Sequence, residues 1–245
     1  MLTVFILILV HWFTSLFFQT FFLHRYCSHE MYKINSFWER VFYFLTWLTQ
    51  GPSFLHPSSY AIMHMEHHKH SDTELDPHSP LIEPNLYRLM LNTYKKYMGL
   101  VDQSNIPHYQ TKLHFDDWKR LDRFSQTHWN TILWIVIYIS AYLLFEVPWF
   151  LFPFLIVHFL MGPIQGAIVN YAGHKFGYSN FDIGDNSKNT LPVDILLMGE
   201  LYQNNHHKNG KRMNFAYRYF EIDITYQIAK LLHLIGIIKI KGKLT

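Results

Sequence analysis

Apolar residues along this chain come in blocks, with the charged residues between them. Met1 to Leu23 is almost wholly apolar. At about 1.5 Å per residue it is long enough to cross a hydrocarbon core of about 30 Å. It starts without a basic n-region and runs into a histidine cluster with no small-residue cleavage site, which predicts a retained membrane helix rather than a signal peptide. Phe37 to Gln50 has apolar residues at helical spacing (Phe37, Val41, Phe42, Leu45, Leu48) and stops at Gly51-Pro52. That is short for a span and predicts an interfacial or re-entrant helix. Thr131 to Phe145 and Trp149 to Val169 are separated only by Glu146-Val147-Pro148, so they predict a helical hairpin. The spans are expected at about 1–23, 129–146 and 149–169, with the interfacial helix at about 37–50.

Between these blocks, Lys69 to His128 reads as polar, loop-rich and outside the bilayer, with Asp76-Pro77-His78-Ser79-Pro80 as a turn cluster. The tail from Lys175 is polar apart from Ile222 to Ile240, a moderately apolar segment whose lysines place it at the surface or interface. There is no internal repeat, and residues 1–245 read as a single unit. A near-zero mean hydropathy would suggest a soluble protein, but it averages over segregated blocks. An aromatic content of 18% fits a protein that faces or binds lipid. The formal charge of +3 is too slight and scattered for a nucleic-acid binder, and Cys27, the one cysteine, excludes a disulfide framework. None of the 21 Lys and Arg lies in the Glu146-Pro148 tip, so the tip is expected outside and the histidine clusters in the cytoplasm.

Those clusters carry the candidate chemistry. In His64-Met65-Glu66-His67-His68, imidazoles at i, i+3 and i+4 fall on one helical face and can converge on a metal. His24-Arg25-Tyr26-Cys27-Ser28-His29 and Gln203-Asn204-Asn205-His206-His207 repeat the theme, with His174 between them. A crossing at 37–50 would put the first two clusters on opposite sides of the membrane. His24 and His29 are offset by about 140° on a regular helix, so they are expected to flank a site at a helix end. The clusters hold eight imidazoles, His24, His29, His64, His67, His68, His174, His206 and His207, more than one ion can use, so two ions are implied. Imidazole suits Zn, Cu, Fe and Ni alike. With no catalytic Ser or Cys nearby, a metal pair at a membrane surface fits oxygen chemistry on a lipid better than hydrolysis. Glu66 either orients an imidazole or is solvated on the outer face. His11, His56, His108, His114, His128, His158 and His233 read as structural, and His70 as solvent-facing.

The motifs HRYCSH, HMEHHKHSDTELDPH, NYAGH and GELYQNNHH resemble the histidine boxes of the membrane fatty acid desaturases, most closely the acyl-CoA delta-9 branch, from about Gln19 to about Ile228. The resemblance implies an all-α integral membrane helical bundle whose cytoplasmic cap carries a histidine-ligated dimetal site. It implies two irons, O2 as co-substrate and a double bond, delta-9 in this branch, placed in a saturated acyl chain. It makes the eight histidines iron ligands, brings Asn170 to one iron through water, and offers Asp76 and His78 as partners of the ligands. Two departures stand out. Gln203 occupies a position where this branch has a histidine and is expected either to reach a metal, through water, or only to hydrogen-bond the site, and Ile62-Met63 replaces an Arg-Asp pair that the animal enzymes use at the CoA end. The acyl chain is therefore expected on CoA, a carrier protein or a lipid ester. It would lie in a bent apolar tunnel walled by the Met1-Leu23 and Trp149-Val169 helices, with its head group gripped by cap Lys and Arg. No haem domain is appended, so a separate ferredoxin, flavoprotein or cytochrome-b-type protein is expected to deliver electrons. The boxes leave a diiron hydroxylase or oxygenase open. A non-catalytic histidine-rich metal carrier would want its ligands near mid-membrane instead.

Overall fold

The computed structural model describes residues 1–103 and 113–242; His108, which the sequence suggests is structural, lies outside them. Helix α1 (Leu2–Phe18) continues unbroken into wide π-helical turns over Gln19–Ser28. Together they make a 27-residue element apolar enough to cross a membrane, ending at Ser28 rather than at the expected Leu23. Helix α2 (Ser36–Gln50) starts where the Asn35 side chain accepts the Trp38 N–H at 3.0 Å. It stops at Gly51, whose φ of +60° suits glycine and whose missing Cβ leaves room for the Tyr138 hydroxyl. Helix α3 (Pro57–His70) begins with a proline that suits a first turn and carries the second histidine box.

Helix α4 (Leu86–Gln103) corrects the expectation of a loop-rich stretch. Its buried or half-buried positions Leu89, Met90, Thr93, Tyr97 and Val101 recur at helical spacing, but Asn92, Lys95 and Lys96 within the helix and Asn85 just before it mask the stripe in the sequence. Helices α5 (Lys119–Ser125) and α6 (His128–Leu144) meet at a bend of 72°. The second hairpin arm is not one helix. It runs as a 3-10 segment (Trp149–Phe154), α7 (Leu155–Phe159), α8 (Met161–Ala167) and a π-helical turn (Ile168–Ala172), with a bend of 58° at Leu160. Pro153 and Pro163 remove backbone donors on either side of that break. Among the described residues, one helix is long and apolar enough to cross a membrane, and up to three spans result if each bent pair counts as one.

Helix α9 (Gln203–Lys208) carries the third box. Helix α10 (Ile224–Leu234) is capped by Asp223, which accepts the Tyr226 N–H at 2.9 Å. The strand β2 (Ile238–Ile240) then pairs antiparallel with β1 (Tyr32–Ile34), Tyr32 opposite Ile240. The fold is therefore helical with one two-stranded ribbon, and Ile222 to Ile240 is a helix followed by a strand. The ribbon closes an aromatic core of Phe21, Phe22, Tyr43, Tyr202, Phe215 and Tyr226, in which Phe21 stacks on Tyr32 at 4.7 Å. Large apolar residues point outward from α1 (Leu2, Phe5, Val10) and α6 (Ile132, Val136, Leu143), as lipid-facing surfaces do. His11 and His158, expected as structural, pair with each other at 2.7 Å, and His11 also bonds the Thr49 carbonyl at 2.8 Å. That ties α1, α2 and α7 without leaving a polar group bare.

Candidate metal centre

All eight predicted histidines meet on the inner side of the α3 and α9 boxes, but in two groups. His24, His29, His64, His68 and His206 form one, and His67, His174 and His207 the other. The i, i+3, i+4 triplet therefore does not converge on one ion. Successive residues on a helix diverge by about 100°, so each His-His pair sends one imidazole to each group. His24 and His29 do share a site, because the chain there is π-helical: the His29 N–H reaches the His24 carbonyl at 3.2 Å, and the two rings lie 5.0 Å apart. A regular-helix count cannot see this.

In the five-histidine group the Nε2 atoms approach one another at 2.7 Å (His29–His64), 2.8 Å (His68–His206), 2.9 Å (His24–His206) and 3.0 Å (His64–His68). Imidazoles bound about 2.1 Å from one ion and at right angles would stand about 3 Å apart. So many converging Nε2 atoms cannot all donate to one another, and a shared cation resolves them. In the second group the Nε2 atoms of His67 and His207 are 3.3 Å apart, and the His174 Nε2 is buried with no hydrogen-bond partner. Both donor sets fit a first-row metal with an imidazole preference, iron included.

Carboxylates hold the ligands. Glu200 accepts from the His24 Nδ1 at 2.6 Å, Asp76 from His67 at 2.9 Å, Asp72 from His174 at 3.1 Å and Asp185 from His207 at 2.6 Å. Each bond fixes a tautomer with Nε2 free to ligate. Burial opposes ionisation of Asp76 and Asp185, but the imidazoles they bond outweigh it and hold both carboxyls well below the usual carboxylate range. Glu200 is likewise brought down to about 2, burial being outweighed by His24, Arg25 and Thr20. Burial, reinforced by neighbouring imidazoles, pushes His64 and His206 far below 6.5, so both stay neutral and able to ligate.

Of the expected partners, Asp76 takes its place, while Glu66 is exposed on the outer face of α3, the other reading its position allowed. Glu200, Asp72 and Asp185 are partners that the sequence does not single out, although Glu200 lies within the GELYQNNHH motif and Asp72 lies four residues before Asp76. Asn204 and Asn205 also have a task. Asn204 Oδ1 accepts the Asn180 and Phe181 N–H groups at 2.8 and 2.9 Å, and Asn205 donates to Glu221 at 2.9 Å, which clamps α9 in place.

A cavity of about 780 Å³ opens beside the two groups, lined by His64 of the first and His67 of the second, by Asn170, Glu200 and Gln203 and by apolar side chains. That is within the range of about 300–1,000 Å³ for ligand pockets. Leu16 of α1 and Phe159 and Val169 of the broken arm contribute as expected, but much of the wall is α4, through Met90, Leu91, Tyr94, Tyr97, Met98 and Val101. Gln203 packs against Gly173, beside His174, where a Cβ would strike its Cγ.

Comparison with known proteins decides the family: the fatty acid desaturase profile matches residues 1–220. The chain belongs to the fatty acid desaturase family. It is similar to an sn-1 stearoyl-lipid 9-desaturase of Synechocystis sp., 26% identical over 88% of this chain and 64% of the relative. An acyl-CoA 5-desaturase of Anemone leveillei is 27% identical over 87% of this chain and 64% of its own length. A hex-5-enoyl-[acyl-carrier protein] acetylenase of Moorena producens is 24% identical over 88% and 70%. The chain thus spans just under two thirds of the length of the Synechocystis and Anemone relatives. Desaturase membership agrees with the histidine boxes, the metal-capable groups and the apolar cavity.

Proposed function

We propose that this desaturase-family chain introduces a double bond, delta-9 in position, into a saturated acyl chain at a diiron centre. The supporting observation is the division of eight box histidines into two adjoining groups beside an apolar cavity. Two bound irons would supply what side chains lack, activation of O2 so that two electrons and two protons from outside, with two substrate hydrogens, leave as water. His24, His29, His64, His68 and His206 would hold one ion and His67, His174 and His207 the other, and Asn170, which lines the same cavity, would act through water. The protein's own part is positional. Asp72, Asp76, Asp185 and Glu200 keep each bonded imidazole aimed inward, and the apolar wall keeps water from the reacting carbons. Packing along the cavity, not a polar handle, selects the carbon.

The relatives' names place acyl chains on a lipid, on CoA and on a carrier protein. All three remain head groups for this chain, with a ferredoxin, flavoprotein or cytochrome-b-type protein as the electron donor. Cells expressing the protein and fed saturated acyl chains are expected to accumulate a monounsaturated product. Hydroxylated chains with no new double bond would give the reaction to the oxygenase class instead.

We also assign the centre to the cytoplasmic side of a multi-pass protein, on the distribution of Lys and Arg. Glu146 and Lys208 are exposed, whereas Cys27 is buried and silent to a thiol reagent. An impermeant maleimide applied to intact cells is expected to label a cysteine at Glu146 and not one at Lys208. The reverse pattern would invert the orientation.

A further inference from the structure

Besides the two histidine groups and the cluster of His67, Asp76 and His78 beside them, the described residues hold one further set of side chains able to share a cation. Ligand atoms of His56, Asp117 and Asp122 all lie within 4.8 Å of one another, and none of the three belongs to a histidine group. His56 directly precedes α3, Asp117 stands two residues before α5, and Asp122 is on α5. His56 has no cluster partner in the sequence, so only the fold that brings α5 to the start of α3 assembles the set. His56 and Asp122 are 6% and 3% exposed.

The four carboxylate–imidazole pairs of the histidine groups close to between 2.6 and 3.1 Å, as hydrogen bonds do. His56 and Asp122 do not. The His56 Nε2 stands 3.4 Å from the Asp122 Oδ2, and that oxygen is buried with no hydrogen-bond partner. A nitrogen and an oxygen each about 2.1 Å from one ion, at the tetrahedral angle, stand about 3.4 Å apart. Hydroxyls hold both carboxylates from behind: Tyr43 donates to the Asp122 Oδ1 at 2.7 Å, and Ser58 donates to the Asp117 Oδ1. The Tyr97 hydroxyl accepts the His56 backbone N–H at 2.6 Å, which fixes the residue against α4.

We propose that His56, Asp117 and Asp122 bind one divalent ion, zinc by its donor set, separate from the two-metal centre. One imidazole and two carboxylates form a mixed nitrogen and oxygen set that zinc takes in tetrahedral geometry, with water in the fourth position. The two carboxylates balance the charge of the ion, and the ion satisfies the oxygen that Asp122 otherwise buries bare. It joins the start of α3 to α5 and, through Tyr43 and Tyr97, to α2 and α4. Because His56 and Tyr97 line the cavity, it also anchors that part of the wall.

The test counts zinc. Purified full chain, first loaded with iron to fill the histidine groups, is equilibrated with zinc, freed of loose ions and analysed for metals by mass spectrometry. The unaltered protein is expected to hold one zinc per chain more than Asp122→Asn or Asp117→Asn protein, at equal iron. Asparagine keeps the size of each side chain and can still accept the Tyr43 or Ser58 hydroxyl, so these variants remove a charged ligand and little else. Each is expected to bind that zinc more than about 100-fold more weakly, beyond the effect of an outer partner of a ligand. Added zinc is expected to raise the melting temperature of the unaltered protein and not of the variants. The difference of one zinc is read whatever the iron content of the histidine groups. Equal zinc in all three proteins would overturn the proposal and leave His56 and Asp122 as an ion pair. A loss of zinc matched by a loss of iron would overturn it too, because the variants would then be acting through the fold.

Discussion

His206→Ala is expected to abolish product formation and to cost the protein the ion of its five-histidine group. The His206 Nε2 lies 2.9 Å from that of His24 and 2.8 Å from that of His68, and the residue is 1% exposed. It joins ligands from three separate parts of the chain, and no nearby side chain can replace it. Asp185→Asn should behave differently. Asp185 touches the His207 Nδ1 at 2.6 Å and belongs to neither histidine group. Its loss should lower turnover or metal affinity by about 10–100-fold, as for other outer partners of ligating histidines. His233→Ala is the control, because His233 bonds the Ile238 carbonyl, at 3.3 Å, on α10 and away from the boxes. Metal analysis and chain analysis of cellular lipids check all three. Full activity in His206→Ala would take that group out of the chemistry.

The histidines that meet in the two metal-capable groups are legible in the sequence because they come in clusters, and clusters survive without knowledge of the fold. Their division is not. It depends on the divergence of His67 from His68 and of His206 from His207, and on π-helical turns that bring His24 to His29. Spacing on an ideal helix carries neither. The carboxylates show the same limit in another way. Asp185 sits in the Gly184-Asp185-Asn186-Ser187 loop, and only tertiary structure carries that loop to His207. Helix α4 is hidden in the sequence because its apolar stripe faces a cavity rather than a core. Thr93, Tyr94 and Tyr97 can line such a cavity, yet they read as polar in a search for buried faces. The apolar blocks, by contrast, coincide with helical segments because length and hydropathy mark them, although the block from Trp149 is broken at Leu160.

Arg25→Ala is expected to destabilise the protein by about 3–5 kcal/mol, the range for removing one partner of a buried ion pair. Arg25 lies inside the first histidine box yet bonds Glu200 and Asp223 rather than joining either histidine group. It is wholly buried, with Nη1 2.8 Å from Glu200 and Nη2 2.9 Å from Asp223, and its guanidinium lies 4.0 Å over the Phe215 ring. Thr20 bonds both Arg25 and Glu200. Without the cation, two buried carboxylates lose their shared partner. Both have other duties: Glu200 orients His24, and Asp223 caps α10 and accepts the Phe215 N–H at 2.8 Å. The loss therefore spreads from the core to the metal ligands. For a chain of this size the melting temperature should fall by about 10 °C, with weaker retention of the ion held by His24. Arg25→Lys should fall between, since an ammonium keeps the charge but cannot span both carboxylates as the planar fork does. Thermal melts of the purified protein in detergent, with and without iron, separate the two effects. An Arg25→Ala protein that melts within about 2 °C of the unaltered one, less than the shift about 1 kcal/mol would cause, would show that the pairing does not hold the box to the core.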